Sequence, residues 1–123
     1  MIIELEGHTT VGPLAFHPST LRRAVLNMVQ NAIEAMPTGG TLRLECLRTA
    51  AEVHVRIRDS GSGIPIEQVP RIFEPLYTTK PGGTGLGLYI VREILTAHAG
   101  QITVQSVEGH GTTFTLTLPR ADA

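Results

Sequence analysis

The chain has no tryptophan, one cysteine and only 4% aromatic residues in its 123 positions. The lone Cys46 excludes an internal disulfide and any multi-cysteine metal cluster. No apolar run approaches the roughly 20 residues that a membrane span needs, and no charged-then-apolar leader opens the sequence. A soluble, cytoplasmic chain without direct membrane contact is expected. The formal net charge of −1 gives no electrostatic reason to bind nucleic acid or anionic lipid. His8, His17, His54, His98 and His110 fall at no metal-ligand spacing. No internal repeat is evident. One domain over residues 1–123 is expected, long enough for its own core, and monomeric in isolation.

Glycine and proline are concentrated around 61–65, 81–87 and 109–111. The densest stretch is TTKPGGTGLGLYIV, residues 78–91, which turns at once into a helix-like apolar run. Elsewhere the patterning is regular. IIELE (2–6) suits a short strand, and Gly7–Pro18 reads as a turn region with room for a second short strand. After a cap at Ser19 or Thr20, Leu21, Ala24, Val25, Met28, Val29, Ala32, Ile33 and Met36 recur at helical spacing until Pro37 and Gly39-Gly40. TLRLECLR (41–48) and EVHVRIRD (52–59) alternate at period two and form a hairpin. A glycine-containing loop over 60–69 and a short helical turn over 70–74 follow. A second helix spans Leu86–His98, with Gly100 at its end. QITVQSV (101–107) and TTFTLTL (112–118) make a second hairpin through EGHG. The fold class is α+β, one sheet with helices on one face. Ile102, Val104, Phe114, Leu116 and Leu118 point inward, while Thr113, Thr115 and Thr117 point to solvent.

Three places break this pattern. Asp59 shares parity with the inward Val53, Val55 and Ile57, and a carboxylate at the end of an apolar stripe must be hydrogen-bonded if it is buried. It either caps the Ser60-Gly61-Ser62-Gly63 turn or receives a ligand that approaches through those glycines. Asn27 and Asn31 lie one helical turn apart, Asn31 roughly 80° from Leu21 on the flank of the apolar face. They are solvated amides, or Asn31 offers a neutral oxygen to a hard cation such as Mg²⁺. The glycine run places Lys80 beside a helix N-terminus, whose unpaired N–H groups and dipole suit phosphate; as a bare pattern it also fits a surface loop. It is neither a Walker loop nor a dinucleotide fingerprint. Cys46 shares parity with Leu42 and Leu44, which marks a buried thiol and not a nucleophile.

Taken in order, Asn27-x-x-x-Asn31-Ala32, Asp59-x-Gly61-x-Gly63, Phe73-Glu74-Pro75-Leu76, Gly83-Thr84-Gly85-Leu86-Gly87-Leu88 and Gly109-x-Gly111-Thr112 closely resemble the ATP-binding catalytic domain of two-component sensor histidine kinases. That domain belongs to the gyrase, chaperone, histidine kinase and mismatch-repair ATPase superfamily. The match covers residues 2–119. It implies a Bergerat-type α/β sandwich, a mixed and mainly antiparallel sheet with helices on one face and a mobile lid over ATP. It also implies that Asp59 accepts from the adenine amino group, that Gly61, Gly63 and Ile64 line the base, and that Phe73 stands near the nucleotide. Asn31 is the implied Mg²⁺ ligand and Asn27 its neighbour at the phosphates. Residues 75–85 form the implied lid, with Lys80 at the terminal phosphates. Gly83, Thr84, Gly85, Leu86, Gly87 and Leu88 meet the phosphates at the helix start, and Thr112 helps to hold the nucleotide.

Two departures refine what the resemblance implies. Hydrolysing relatives carry a glutamate where this chain has Asn27, an amide that cannot take a proton at neutral pH; slow hydrolysis follows. None of the histidines is followed by Asp or Glu, so the phosphoacceptor and its dimerising hairpin are expected on a separate domain of the same kinase. A response regulator is then an indirect partner, and a membrane-anchored parent kinase is compatible with this domain. The alternatives are a hydrolysing ATPase of the same superfamily and a degenerate docking module.

Overall fold

A computed structural model describes residues 2–7, 18–77 and 87–120. The elements are β1 (Ile2–Gly7), α1 (Pro18–Glu34), β2 (Thr41–Arg48), β3 (Glu52–Asp59), a 3₁₀ turn (Val69–Arg71), α2 (Gly87–Ala97), β4 (Gln101–Val107) and β5 (Gly111–Pro119). The strands form one sheet in the order β1-β2-β3-β5-β4. β1 runs parallel to β2, and every other pairing is antiparallel. Both hairpins stand where the period-two alternation puts them. The order makes β3 the middle strand, so its last residue, Asp59, has Leu42 of β2 on one side and Thr112 of β5 on the other.

The helices cover one face, α1 against β3 and α2 against β4 and β5, and they pack on each other. Ala24, Met28 and Ala32 of α1 and Val91 and Leu95 of α2 meet Leu42, Ile57, Phe114, Leu116 and Leu118 of the sheet. Each large apolar side chain sealed there contributes about 1.5–3 kcal/mol through removal from water. Ile33, assigned by periodicity to this stripe, is 44% exposed. Its neighbour Ala32, assigned to the same stripe, is buried. Ser19 and Thr20 lie within the first turn of α1 and not before it, since the helix begins at Pro18, a residue whose fixed φ and missing N–H suit that end. The turn expected over 70–74 occupies 69–71.

Among the described side chains, the solvent-facing side of the sheet holds an exception to the alternation. Thr117 is buried there, with its register neighbours His54 and Gln101 beside it and its hydroxyl 3.2 Å from His54 Nδ1. Cys46 is half-buried, and desolvation pushes its thiol pKa up, which suppresses the reactive thiolate.

The end of α2 differs from expectation in an instructive way. The left-handed residue is Ala99, at φ 60°, and not Gly100. Ala99 N–H donates to the Thr96 carbonyl at 3.2 Å and Gly100 N–H to the Leu95 carbonyl at 2.7 Å, the two bonds of a Schellman cap. Gly100 is required for space: a Cβ there would sit 2.5 Å from the Thr117 carbonyl oxygen. His98 closes the same turn, its Nδ1–H donating to the Ile94 carbonyl at 2.8 Å. Because a side chain in the left-handed region costs roughly 1–2 kcal/mol, Ala99→Gly is expected to stabilise the domain by about 1 kcal/mol after the entropic cost of glycine. Urea denaturation reads that gain.

Candidate functional site

The C-terminal end of the middle strand carries the first of the pattern-breaking residues. Asp59 is only 3% exposed, on the same face as the buried Ile57, and its register neighbour Thr112 is 5% exposed. The Asp59 carboxylate also closes the turn after the strand, its Oδ1 accepting the Gly61 N–H at 2.9 Å. Capping and burial thus coexist in one side chain, because a carboxylate has acceptor capacity for several donors.

The loop that follows is clamped from both sides. Toward α1, Ser62 N–H donates to the Ala35 carbonyl at 3.3 Å, and a Cβ on Gly61 would lie 2.4 Å from that same oxygen. Toward the second hairpin, Gly109 N–H donates to the Ser62 carbonyl at 2.7 Å, and Ile64 N–H donates to Ser106 Oγ at 2.8 Å. Gly63 holds φ 72°, and a Cβ there would lie 2.3 Å from the Val107 carbonyl oxygen. What the structure records for both glycines is therefore a close approach of protein backbone on each side. At its start the loop is tied to β2 by the Thr41 N–H, which donates to Ser60 Oγ at 2.9 Å.

Asn27 and Asn31 are half-buried on the flank of the Ala24–Met28–Ala32 stripe, and Asn31 stands one turn before the Ala35 carbonyl that holds the loop. Ile64, Phe73 and Leu88 pack against the core from the site side. The Phe73 ring meets Phe114 edge-on, with centroids 6.3 Å apart and planes at 82°, which anchors the segment after the 3₁₀ turn to the sheet. Gly87 opens α2, exposed and with open space where a Cβ would be. Lys80, Gly83, Thr84, Gly85 and Leu86 lie outside the described residues, as do positions 78–85 of the expected lid. Among the described residues no three His, Cys, Asp or Glu side chains form a metal cage.

Ser106 is the residue that sequence reasoning missed. It shares parity with Ile102 and Val104 on β4, so it too is a polar group at the end of an apolar stripe. Besides accepting from Ile64, its hydroxyl donates to the Gly111 carbonyl at 3.1 Å or pairs with Thr112 Oγ1 at 2.8 Å. A depression of about 220 Å³ borders this strand end, lined by Asp59, Ser106 and Thr112 together with Arg58, Gln105 and His110.

A sheet with helices on one face and a buried acidic residue at its central strand end defines an α/β sandwich. Residues 16–122 match the family described as histidine kinase-, DNA gyrase B-, and HSP90-like ATPase, and the chain belongs to it. The sensor histidine kinase ZraS of Escherichia coli (strain K12) is 39% identical over 117 residues, covering 95% of this chain and 25% of ZraS. Sporulation kinase A of Bacillus subtilis (strain 168) is 41% identical over 100 residues, covering 81% of this chain and 16% of that kinase. The solved catalytic domain of histidine kinase ThkA aligns with a TM-score of 0.86 at 32% identity, over 97% of this chain and 80% of that one. The mycobacterial sensor histidine kinase MprB aligns with a TM-score of 0.79 at 33% identity, over 95% of this chain and 81% of that one. The chain is an ATP-binding kinase catalytic domain of the sensor histidine kinase type. It spans a quarter or less of both curated relatives. No helix among the described residues is long and apolar enough to cross a membrane.

Proposed function

We propose that this domain binds Mg²⁺-ATP and donates the γ-phosphoryl group to a histidine on a separate dimerising helical hairpin. The observation that carries the reading is the buried Asp59 beside Thr112, at the mouth of a loop clamped between α1 and the second hairpin. A carboxylate so placed accepts from the adenine amino group. Guanine presents a carbonyl at that position, so acceptor would face acceptor and ATP is preferred over GTP. Gly61, Gly63 and Ile64 border the base from the clamped loop, and Phe73 holds the root of the lid against the sheet.

On this reading the phosphates extend toward Asn27, Asn31 and the start of α2, where Gly87 and Leu88 open the helix; Gly83, Thr84, Gly85 and Leu86 are assigned to the same phosphates, and Lys80 to the terminal ones as a positive charge. The magnesium site fits the donor set. Mg²⁺ takes oxygen ligands, keeps several waters and shares the substrate's phosphates, so one amide oxygen from Asn31 suffices without an acidic cage. When bound, the ion neutralises charge on the phosphates. The protein's own contribution is positioning and charge neutralisation, the general logic of phosphoryl transfer. Asn27 cannot act as a base for water, so turnover without the hairpin is slow; the proton-accepting group belongs to the hairpin domain. A response regulator receives the phosphoryl group downstream.

The deciding experiment mixes this chain with radiolabelled ATP and a sensor-kinase hairpin domain. Acid-labile phosphate should appear on the hairpin and fall by at least about 100-fold with Asn31→Ala, in keeping with the loss of a positioning group. Rapid ATP hydrolysis without the hairpin, abolished by Asn31→Ala, would instead identify a hydrolysing ATPase. Absence of ATP binding in calorimetry would leave only the docking module.

A separate prediction concerns Gly87. Its φ is not in the left-handed region and a Cβ there meets nothing, so Gly87→Ala should leave thermal stability unchanged or slightly raised. ATP affinity should nevertheless drop about tenfold, because the methyl group crowds phosphate at the helix N-terminus. Unchanged affinity in the stable variant would remove Gly87 from the phosphate site.

A further inference from the structure

We propose that Ser106 is a positioning residue that fixes Thr112 as a hydrogen-bond donor toward the base and so supplies half of the discrimination between adenine and guanine. This rests on the ATP reading given above.

The direction of the hydrogen bonds follows from counting protons. A serine hydroxyl has one proton to give and two lone pairs. The Ile64 N–H can only donate, and it lies 2.8 Å from Ser106 Oγ, so Ser106 accepts there. Its single proton then has two possible destinations, Thr112 Oγ1 at 2.8 Å and the Gly111 carbonyl at 3.1 Å. The shorter contact matches the usual O–H···O separation of about 2.7–2.8 Å and takes the proton. Thr112 Oγ1 has then accepted, and its own proton points elsewhere. Ser106 is the side-chain partner recorded for Thr112, which is buried and stands beside Asp59 in register. The chain of donors thus runs from the Ile64 N–H through Ser106 to Thr112, the register neighbour of Asp59, each bond polarising the next.

Asp59 and Thr112 then present an acceptor beside a donor. Adenine offers the complementary pair at one edge, an amino donor beside a ring-nitrogen acceptor. Guanine offers the reverse, a carbonyl acceptor beside a ring N–H donor. Were Ser106 to send its proton to the Gly111 carbonyl, Thr112 would donate to Ser106 and become an acceptor toward the ligand, a match for guanine's N–H. The proton on Ser106 therefore decides which base edge Thr112 accepts. Asp59 alone specifies only the amino position.

Calorimetric titration of this chain with Mg²⁺-ATP and Mg²⁺-GTP tests the proposal. Ser106→Ala should weaken ATP binding about tenfold and leave GTP binding unchanged, so the ATP-to-GTP preference contracts about tenfold. Ser106→Thr, which keeps the hydroxyl on a strand that tolerates β-branching, should restore both values. Thr112→Val should reproduce the loss, and the double variant should be no worse than Thr112→Val alone, because the two residues act in series. A preference unchanged in Ser106→Ala, additive effects in the double variant, or ATP and GTP weakening together would overturn the proposal. Should Ser106→Ala not fold, Thr112→Val decides: a preference unchanged in that variant also overturns it. Wild-type protein that binds no ATP refutes the nucleotide reading itself, whereas wild-type binding with an inert Ser106→Ala refutes only the role of Ser106.

Discussion

Replacing Asp59 by asparagine should weaken ATP binding by about two orders of magnitude, on the order of 2.7 kcal/mol, while the fold survives. The two side chains are nearly the same size. Asparagine keeps one acceptor oxygen, enough to retain the 2.9 Å bond from the Gly61 N–H and the turn that it closes. On the proposed reading the exchanged position becomes an NH₂ group that meets the adenine amino donor, at a residue only 3% exposed. Buried groups of like hydrogen-bonding sense have no water to retreat to, which is why the penalty far exceeds that at a surface. Calorimetry with Mg²⁺-ATP reads the affinity, and the thermal midpoint confirms that the variant remains folded. Wild-type affinity in a folded Asp59→Asn variant would reduce Asp59 to a turn cap.

The largest expected stability effect belongs to Gly111. It holds φ 103°, and a Cβ there would lie 2.1 Å from the Asp59 carbonyl oxygen and 3.1 Å from Ser60 Cα. Gly111→Ala therefore combines left-handed strain with a clash against backbone that cannot swing aside. A loss of about 3–5 kcal/mol is expected, a large share of the 5–15 kcal/mol that typically holds a domain together. Gly109→Ala is the control. Its φ is 82°, but nothing lies within 4 Å of the added carbon, so only the conformational cost of about 1 kcal/mol applies. Urea denaturation of the two variants separates the clash from the strain. Equal losses would mean that the β5 backbone gives way and that the close approach of Gly111 to Asp59 is unimportant.

Both predictions concern one small region whose residues were legible to different degrees. Asp59 was visible because it continues the apolar parity of Val53, Val55 and Ile57 to a carboxylate. Ser106 continues the parity of Ile102 and Val104 in the same way, yet serine is common at strand ends and carries no charge to draw notice. Its importance comes from partners at Ile64, Gly111 and Thr112, one of them 42 positions away, and no local pattern encodes such a meeting. Gly61 and Gly63 were legible as glycines that something must approach. That the approaching atoms include the carbonyls of Ala35 and Val107 depends on how α1 and β4 are packed. Gly100 was read as marking the end of the second helix; the left-handed conformation there falls on Ala99, and Gly100 clears the Thr117 carbonyl.

The sequence by itself determined both hairpins, both helices, the inward stripes and the family, because alternation, helical spacing and ordered glycine motifs are local properties of the chain. Tertiary structure decided the sheet order that makes β3 central, and with it the meeting of Asp59 and Thr112. It alone decided that the loop after Asp59 is held from two sides and that one serine hydroxyl joins that loop to Thr112. The reason is physical. Side-chain parity follows from backbone geometry residue by residue, whereas close approaches and hydrogen-bond direction depend on which distant segments the core forces together.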